Sequence, residues 1–122
     1  MNTITMTKEE RNAYDNLNAI RKCNVQVYAL IKNGVHAGKI FVRDLAKMHT
    51  SLFIYDDKYN VRINAYATAS GGHYDRLGAC MKHIFDEHRS ELEALSVTIG
   101  DDPANFWQDY LENAGFDVFH VL

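Results

Sequence analysis

Two periodicities alternate along this chain, and their order predicts its architecture. Tyr14, Leu17 and Ile20 recur at helical spacing, separated by Asn12, Asp15, Asn16 and Asn18. Just upstream, Thr7-Lys8-Glu9-Glu10 has the form of a capping box, in which the Thr7 hydroxyl and the Glu10 carboxylate each take up an amide that a helix start leaves unpaired. A short amphipathic helix is expected from Thr7 to about Lys22. From Asn24 the period falls to two, with Val25, Val27, Ala29 and Ile31 on one face and Gln26, Tyr28 and Leu30 on the other. This strand ends at Asn33-Gly34, a hairpin signal because both residues tolerate positive φ, and Val35 to Arg43 is the return strand. Leu52 to Tyr55, the turn Asp56-Asp57-Lys58 and Val61 to Thr68 form a second hairpin, so the simplest sheet is a four-stranded antiparallel meander.

Ser70-Gly71-Gly72 interrupts the last of these strands. Tyr74, Leu77, Met81, Ile84, Phe85, His88, Leu92 and Leu95 then keep a 3.6-residue period, which predicts one long helix. Gly78 and Ala79 within it, opposite the small residues Ala65, Ala67 and Ala69, predict close approach of helix and sheet. The acidic last turns, with Glu91 and Glu93, oppose the helix dipole and predict fraying. Asp102-Pro103 supplies an N-cap and a first-turn proline, and Gly115 a C-terminal cap, for a third helix carrying Phe106, Trp107, Tyr110 and Leu111. The tail from Phe116 to Leu122 alternates like a strand able to join a sheet edge. The fold class is α+β, a single domain over residues 1–122, with the meander packed against the N-terminal helix and the long helix.

Composition narrows the class. Hydrophobic residues make up 47% of the chain and there is one proline, which excludes the disordered classes whose apolar surface cannot offset chain entropy. No apolar run approaches the roughly 20 residues that span a bilayer, and Met1 to Glu10 lacks the form of a signal peptide, so a cytoplasmic protein without membrane contact is expected. Cys23 and Cys80 are too few for a disulfide framework and are expected to be unbonded, small buried hydrophobes. The net charge of −3 conceals an asymmetry: residues 1–85 hold twelve basic and seven acidic side chains, whereas residues 86–122 hold nine acids and only Arg89.

Candidate chemistry is sparse. Ser70, Gly71, Gly72, His73, Tyr74 and Arg76 lie where a strand gives way to a helix start, a place whose free amides can hold an anion. The segment has neither the glycine spacing of a dinucleotide site nor the Lys-Ser/Thr of a P-loop, and a plain capped turn is the simpler account of it. His83 and His88 point about 140° apart on a helix, so they cannot chelate together, and His83 with Glu87 is an ordinary solvated pair. No metal, no cofactor and no catalytic residue is assigned: neither Gly-x-Ser-x-Gly nor a Cys/His signature is present. Arg21, Lys22, Lys32, Lys39, Arg43, Lys47, Lys58 and Arg62, with Tyr28, Tyr55, Tyr59 or Tyr66 to stack on bases, offer a basic sheet face to nucleic acid or simply to water. The acidic third, represented by Asp109, Glu112 and Asp117, is either a solvating face or a contact for a basic partner.

The stretch from Ala65 to Ala79, a strand running through Gly71-Gly72 into Tyr74-Asp75-Arg76 and a small-residue helix, resembles a segment of small uncharacterised phage and prophage proteins. The resemblance covers about fifteen residues and implies an accessory protein of a mobile element acting in the host cytoplasm. The order of helix, meander, glycine turn and helix is also similar to that of double-stranded RNA-binding domains. Their second helix opens with clustered lysines that grip phosphates, however, and here the matching place reads His73-Tyr74-Asp75-Arg76. Together these features lead to the expectation of a non-enzymatic binding protein that contacts a host protein, or itself, through Asp109, Glu112 and Asp117. The alternatives are a binder of a small phosphate-bearing ligand at Gly71-Gly72 and a nucleic-acid binder using the basic sheet.

Overall fold

The computed structural model describes residues 5–19, 25–56, 61–70 and 76–122. Helix α1 (Lys8–Ala19) starts at the expected capping box: the Thr7 amide donates to Glu10 Oε1 at 2.9 Å, and the Glu10 amide to Thr7 Oγ1 at 3.1 Å. Strands β1 (Gln26–Lys32) and β2 (Val35–Asp44) follow, joined by Asn33 and Gly34 at φ 54° and 74°. Two consecutive positive φ angles match the right-handed twist of the flanking strands, which is why Asn-Gly closes this hairpin. Strand β3 (Lys47–Asp56) starts five residues before the expected Leu52 and pairs without a break with β4 (Val61–Ser70), from Lys47↔Ser70 to Asp56↔Val61. The polar residues Lys47 and His49 obscure the strand in sequence, but Met48 and Thr50, which alternate with them, are buried beside Leu52 and Ile54.

The sheet has five antiparallel strands where four were expected, in the order β4-β3-β2-β1-β5. The fifth, β5 (Phe116–His120), is the tail, and it pairs within its own chain along β1 from Lys32↔Phe116 to Tyr28↔His120. The expected long helix is two: α2 (Arg76–Glu87) and α3 (Arg89–Ala94) are separated by His88, whose backbone leaves helical values at φ −116° and ψ 27°. The apolar period survives the break because Ile84, Phe85, Leu92 and Leu95 all stay in one core. Helix α4 (Pro103–Asn113) has the predicted caps: Asp102 accepts from the Asn105 amide at 3.3 Å, Pro103 opens the first turn, and Gly115 follows at φ 98°. Gly78 is buried as expected, whereas Ala79 faces solvent. Cys80 is buried and unbonded; Cys23 lies outside the described residues.

Both faces of the sheet carry helices, one of them only in part. On one, Leu30, Ile40, Leu52, Ile54, Ile63, Ala65 and Phe116 meet Cys80, Met81, Ile84, Phe85, Trp107 and Leu111 of α2 and α4 in the main core. On the other, Val25, Val27, Phe41 and Phe53 pack under Leu17 of α1. Gly38 lets β2 and β3 approach, since a Cβ there would sit 2.0 Å from the Phe53 carbonyl oxygen.

Candidate functional site

Helix α4 presents the best-formed contact surface among the expected sites. Trp107 and Leu111 turn into the core, which leaves Asn105, Phe106, Gln108, Asp109, Glu112 and Asn113 outside. Phe106 is 48% exposed, and its backbone departs from the helix at φ −112° and ψ 15°, kinking α4 where the ring leaves the core. Its nearest aromatic neighbour is Tyr110, at 6.5 Å between ring centroids, and the Tyr110 hydroxyl in turn accepts from the Asp102 amide at 3.2 Å. Asp109 recurs three residues after Phe106 on the same side of the helix. Glu112 accepts from Gln108 Nε2 at 2.9 Å, and neither carboxylate meets a cation among the described residues. An apolar ring, with Asp109 on its side of the helix and Glu112 a turn further on, is thus held in fixed register by α4.

Asp117 does not join them. Phe116 and Val118 face the core that α4 covers, so Asp117 between them lies on the opposite face of the sheet. Most of the other acids of the C-terminal third are already engaged: Asp86 with Lys82 at 2.8 Å, Glu87 with His83 at 3.0 Å, Glu91 with His88 at 2.8 Å, and Glu93 with Arg89 at 3.8 Å. The hydrogen bond from His88 holds the Glu91 carboxyl below its ordinary pKa. Phe106 was passed over as a surface residue in the sequence. The signal for it is angular: a stripe centred on Trp107 and Leu111 leaves position 106 about 100° to one side.

The glycine turn is described only at its borders. Gly71, Gly72, His73 and Tyr74 lie outside the described residues; Ser70 is exposed at the end of β4. Arg76 is committed elsewhere: Nη2 lies 2.5 Å from Asp44 Oδ1, and Nη1 donates to the Leu45 and Ala46 carbonyls at 3.0 and 3.2 Å. The guanidinium fastens the start of α2 to the β2–β3 turn, so an anion at this corner would compete with three existing partners.

The basic sheet face is corrected at its centre. Lys39 and Arg43 are buried beneath α1, where Lys39 Nζ donates to Glu10 Oε1 at 2.8 Å and Arg43 Nη1 donates to the Leu17 carbonyl at 2.6 Å. Tyr55 completes the cluster by donating to Glu10 Oε2. Burial raises the Glu10 carboxyl, but the bonds from Lys39, Tyr55 and the Thr7 amide outweigh it and hold the pKa below its ordinary value. Burial, together with that carboxylate, drives the Tyr55 phenol upward. These cations are spent in holding a helix. Arg21, Lys22, Lys58 and Tyr59 lie outside the described residues.

Among the described residues, no three of His, Cys, Asp and Glu gather in a way that holds a metal ion, and no helix is long and apolar enough to cross a membrane. Comparison with protein-family models, curated proteins and solved structures finds no match to this chain.

Proposed function

We propose that this chain is a non-enzymatic binding protein that docks a basic protein partner on the outer face of α4, with Phe106 as the anchor and Asp109 and Glu112 as its charged surround. The observation that carries this reading is the half-exposed Phe106 ring at a kink, on a helix whose exposed carboxylates Asp109 and Glu112 meet no cation among the described residues. An aromatic anchor with a polar rim is the arrangement in which a few residues supply most of the binding energy at protein interfaces. The setting we propose, an accessory protein of a mobile element acting on a host protein, rests on the resemblance of residues 65–79 alone.

The test is quantitative capture from host lysate. Phe106→Ala should weaken capture of the principal partner by roughly tenfold or more, as removal of an interface anchor does. Asp109→Asn with Glu112→Gln should weaken it less and flatten its dependence on salt, because exposed charges steer association and are screened within about 10 Å at 0.1 M. Asp117→Asn, on the opposite face, should leave capture unchanged. Equal yields from all variants, with melting temperatures unaltered, would remove this reading. Self-association through the same face would appear as a concentration-dependent mass abolished by Phe106→Ala.

A further inference from the structure

A cleft of about 320 Å³ opens between α1 and the β3–β4 hairpin, lined by Ala13, Asn16, Leu17, Ser51, Asn64 and Tyr66. It arises because α1 lies over β2 and β3 and leaves β4 uncovered, so the helix forms one wall and the outer strand the other. Its volume is at the small end of the range that small-molecule sites occupy. It lies on the opposite side of the sheet from α4, so its fate is independent of the function proposed above.

Three polar side chains of this cleft have no partner among the described residues. The Asn16 and Asn64 carboxamides make no hydrogen bond among the described residues. Ser51 is only 5% exposed, yet its hydroxyl is likewise without a partner there. Its neighbours across the ladders, Phe41 and Tyr66, place its side chain on the α1 side of the sheet. The Ser51 oxygen keeps some access to the cleft, where water or a ligand can meet it. Tyr66, by contrast, is fixed: its hydroxyl shares a hydrogen bond with His49 Nδ1, which holds the half-exposed ring in place.

We propose that this cleft binds a single unpaired nucleobase. Each carboxamide offers a donor and an acceptor in one plane, the pattern that matches the edge of a base, and the Tyr66 ring offers a stacking face. Ala13 and Leu17 supply an apolar wall, and among the described residues no charged side chain lines the space. A ligand bearing its charge inside the cleft would find no counter-ion among the described residues, and a purely apolar one would leave two carboxamides and a hydroxyl unsatisfied. A neutral, flat, hydrogen-bonding ring answers to both constraints. The base can belong to a free nucleoside or to a single strand, whose backbone would have to run outside the cleft.

The experiment titrates the full chain with adenosine, guanosine, cytidine and uridine, with glucose as a hydrogen-bonding control, followed by ligand-observed magnetic resonance and calorimetry. At least one nucleoside is expected to bind with a Kd below about 1 mM. Asn64→Leu and Tyr66→Ala should each weaken it at least tenfold, and Ser51→Ala measurably. Asn64 and Tyr66 are exposed, so both variants should melt like the parent, and Tyr66→Phe, which keeps the ring, should retain most of the affinity. A second arm uses a single-stranded homopolymer of the preferred base. Much tighter, salt-dependent binding that Asn64→Leu still weakens assigns the base to a strand, and affinity equal to that of the nucleoside assigns the free compound. The proposal is overturned if no nucleoside binds at millimolar concentration, if glucose binds in their place, or if Asn64→Leu and Tyr66→Ala leave binding intact.

Discussion

The two faces of this sheet are held by different physics. Under α2, α3 and α4 the contact is apolar and continuous, from Ile63 and Ala65 on β4 across Leu52 and Ile40 to Phe116 on β5. Under α1 the apolar contact is smaller, with Leu17 the fully buried apolar side chain of the helix among the described residues and Ala13 and Tyr14 half-buried beside it, and the remaining fastening is polar: Glu10 with Lys39 and Tyr55, and Arg43 with the Leu17 carbonyl. Hydrophobic burial is non-directional and tolerates many arrangements of similar volume. A buried carboxylate, ammonium and phenol have one satisfactory geometry, and a shift of the helix by a residue would leave each of them unpaired. The first face supplies stability; the second fixes where α1 lies, and with it the cleft between α1 and β4.

The largest effects should come from damage to either face, and should differ in where the damage spreads. Phe85→Ala empties a buried site in the main core and should cost about 3–5 kcal/mol, read as a lower denaturation midpoint with loss of protection throughout the sheet. Glu10→Ala leaves Lys39 buried without its counter-charge and removes the cap of α1, a loss of about 3–5 kcal/mol if the helix is to stay in place. The helix can instead lift away. Hydrogen exchange should then accelerate in α1 while the amides of β3 and α2 remain protected. Uniform loss of protection in both variants would show that the faces form one cooperative unit and that the distinction between them is energetic only.

A smaller effect should follow from pH. Because Glu10 has a folded-state pKa below its ordinary 4.5, it contributes stability that is complete above that value and is lost as pH falls below 4.5 toward the folded value. Acid should therefore loosen α1 before the main core, in which no carboxylate is buried among the described residues. Glu10→Gln should flatten this acid limb of the stability profile, and an unchanged slope would mean that other carboxylates govern it. His36, whose pKa burial and Lys39 together hold below 6.5, adds a shallower loss in the same direction as pH falls through that value.

Much of the scaffold was legible because its signals are local. The capping box at Thr7 and Glu10, the Asn33-Gly34 turn and the Asp102-Pro103 start each depend on residues within one turn of chain, and each is formed as expected. What escaped depends on contact between distant elements. Lys39 and Arg43 alternate with Ile40 and Val42, which reads as a wet face; only the position of Phe41 between them hints that β2 must be covered on both sides. The break at His88 was hidden because the apolar period runs through it unchanged. The cleft was out of reach for the same reason: Asn16, Ser51 and Asn64 come from three elements, and each is unremarked in its own stretch of sequence.

The smallest net change should come from replacing the polar cluster entirely, and this is the sharpest test of what it is for. Glu10→Met, Lys39→Met and Tyr55→Phe together remove a carboxylate, an ammonium and a phenol that satisfy one another, and leave side chains of similar bulk next to Phe41 and Phe53. The desolvation of the ions is no longer incurred, so stability should remain within about 1–2 kcal/mol of the parent or rise, in contrast to the loss from Glu10→Ala alone. The position of α1 should suffer instead. With only apolar contact and the Arg43 bond to the Leu17 carbonyl beneath it the helix can slide, which would appear as exchange broadening of α1 and Asn64 resonances in a protein of nearly parental stability. A triple variant as unstable as Glu10→Ala would show that the cluster contributes stability in its own right. One with sharp, parent-like resonances throughout would show that Leu17 and the Arg43 bond to its carbonyl suffice to place the helix.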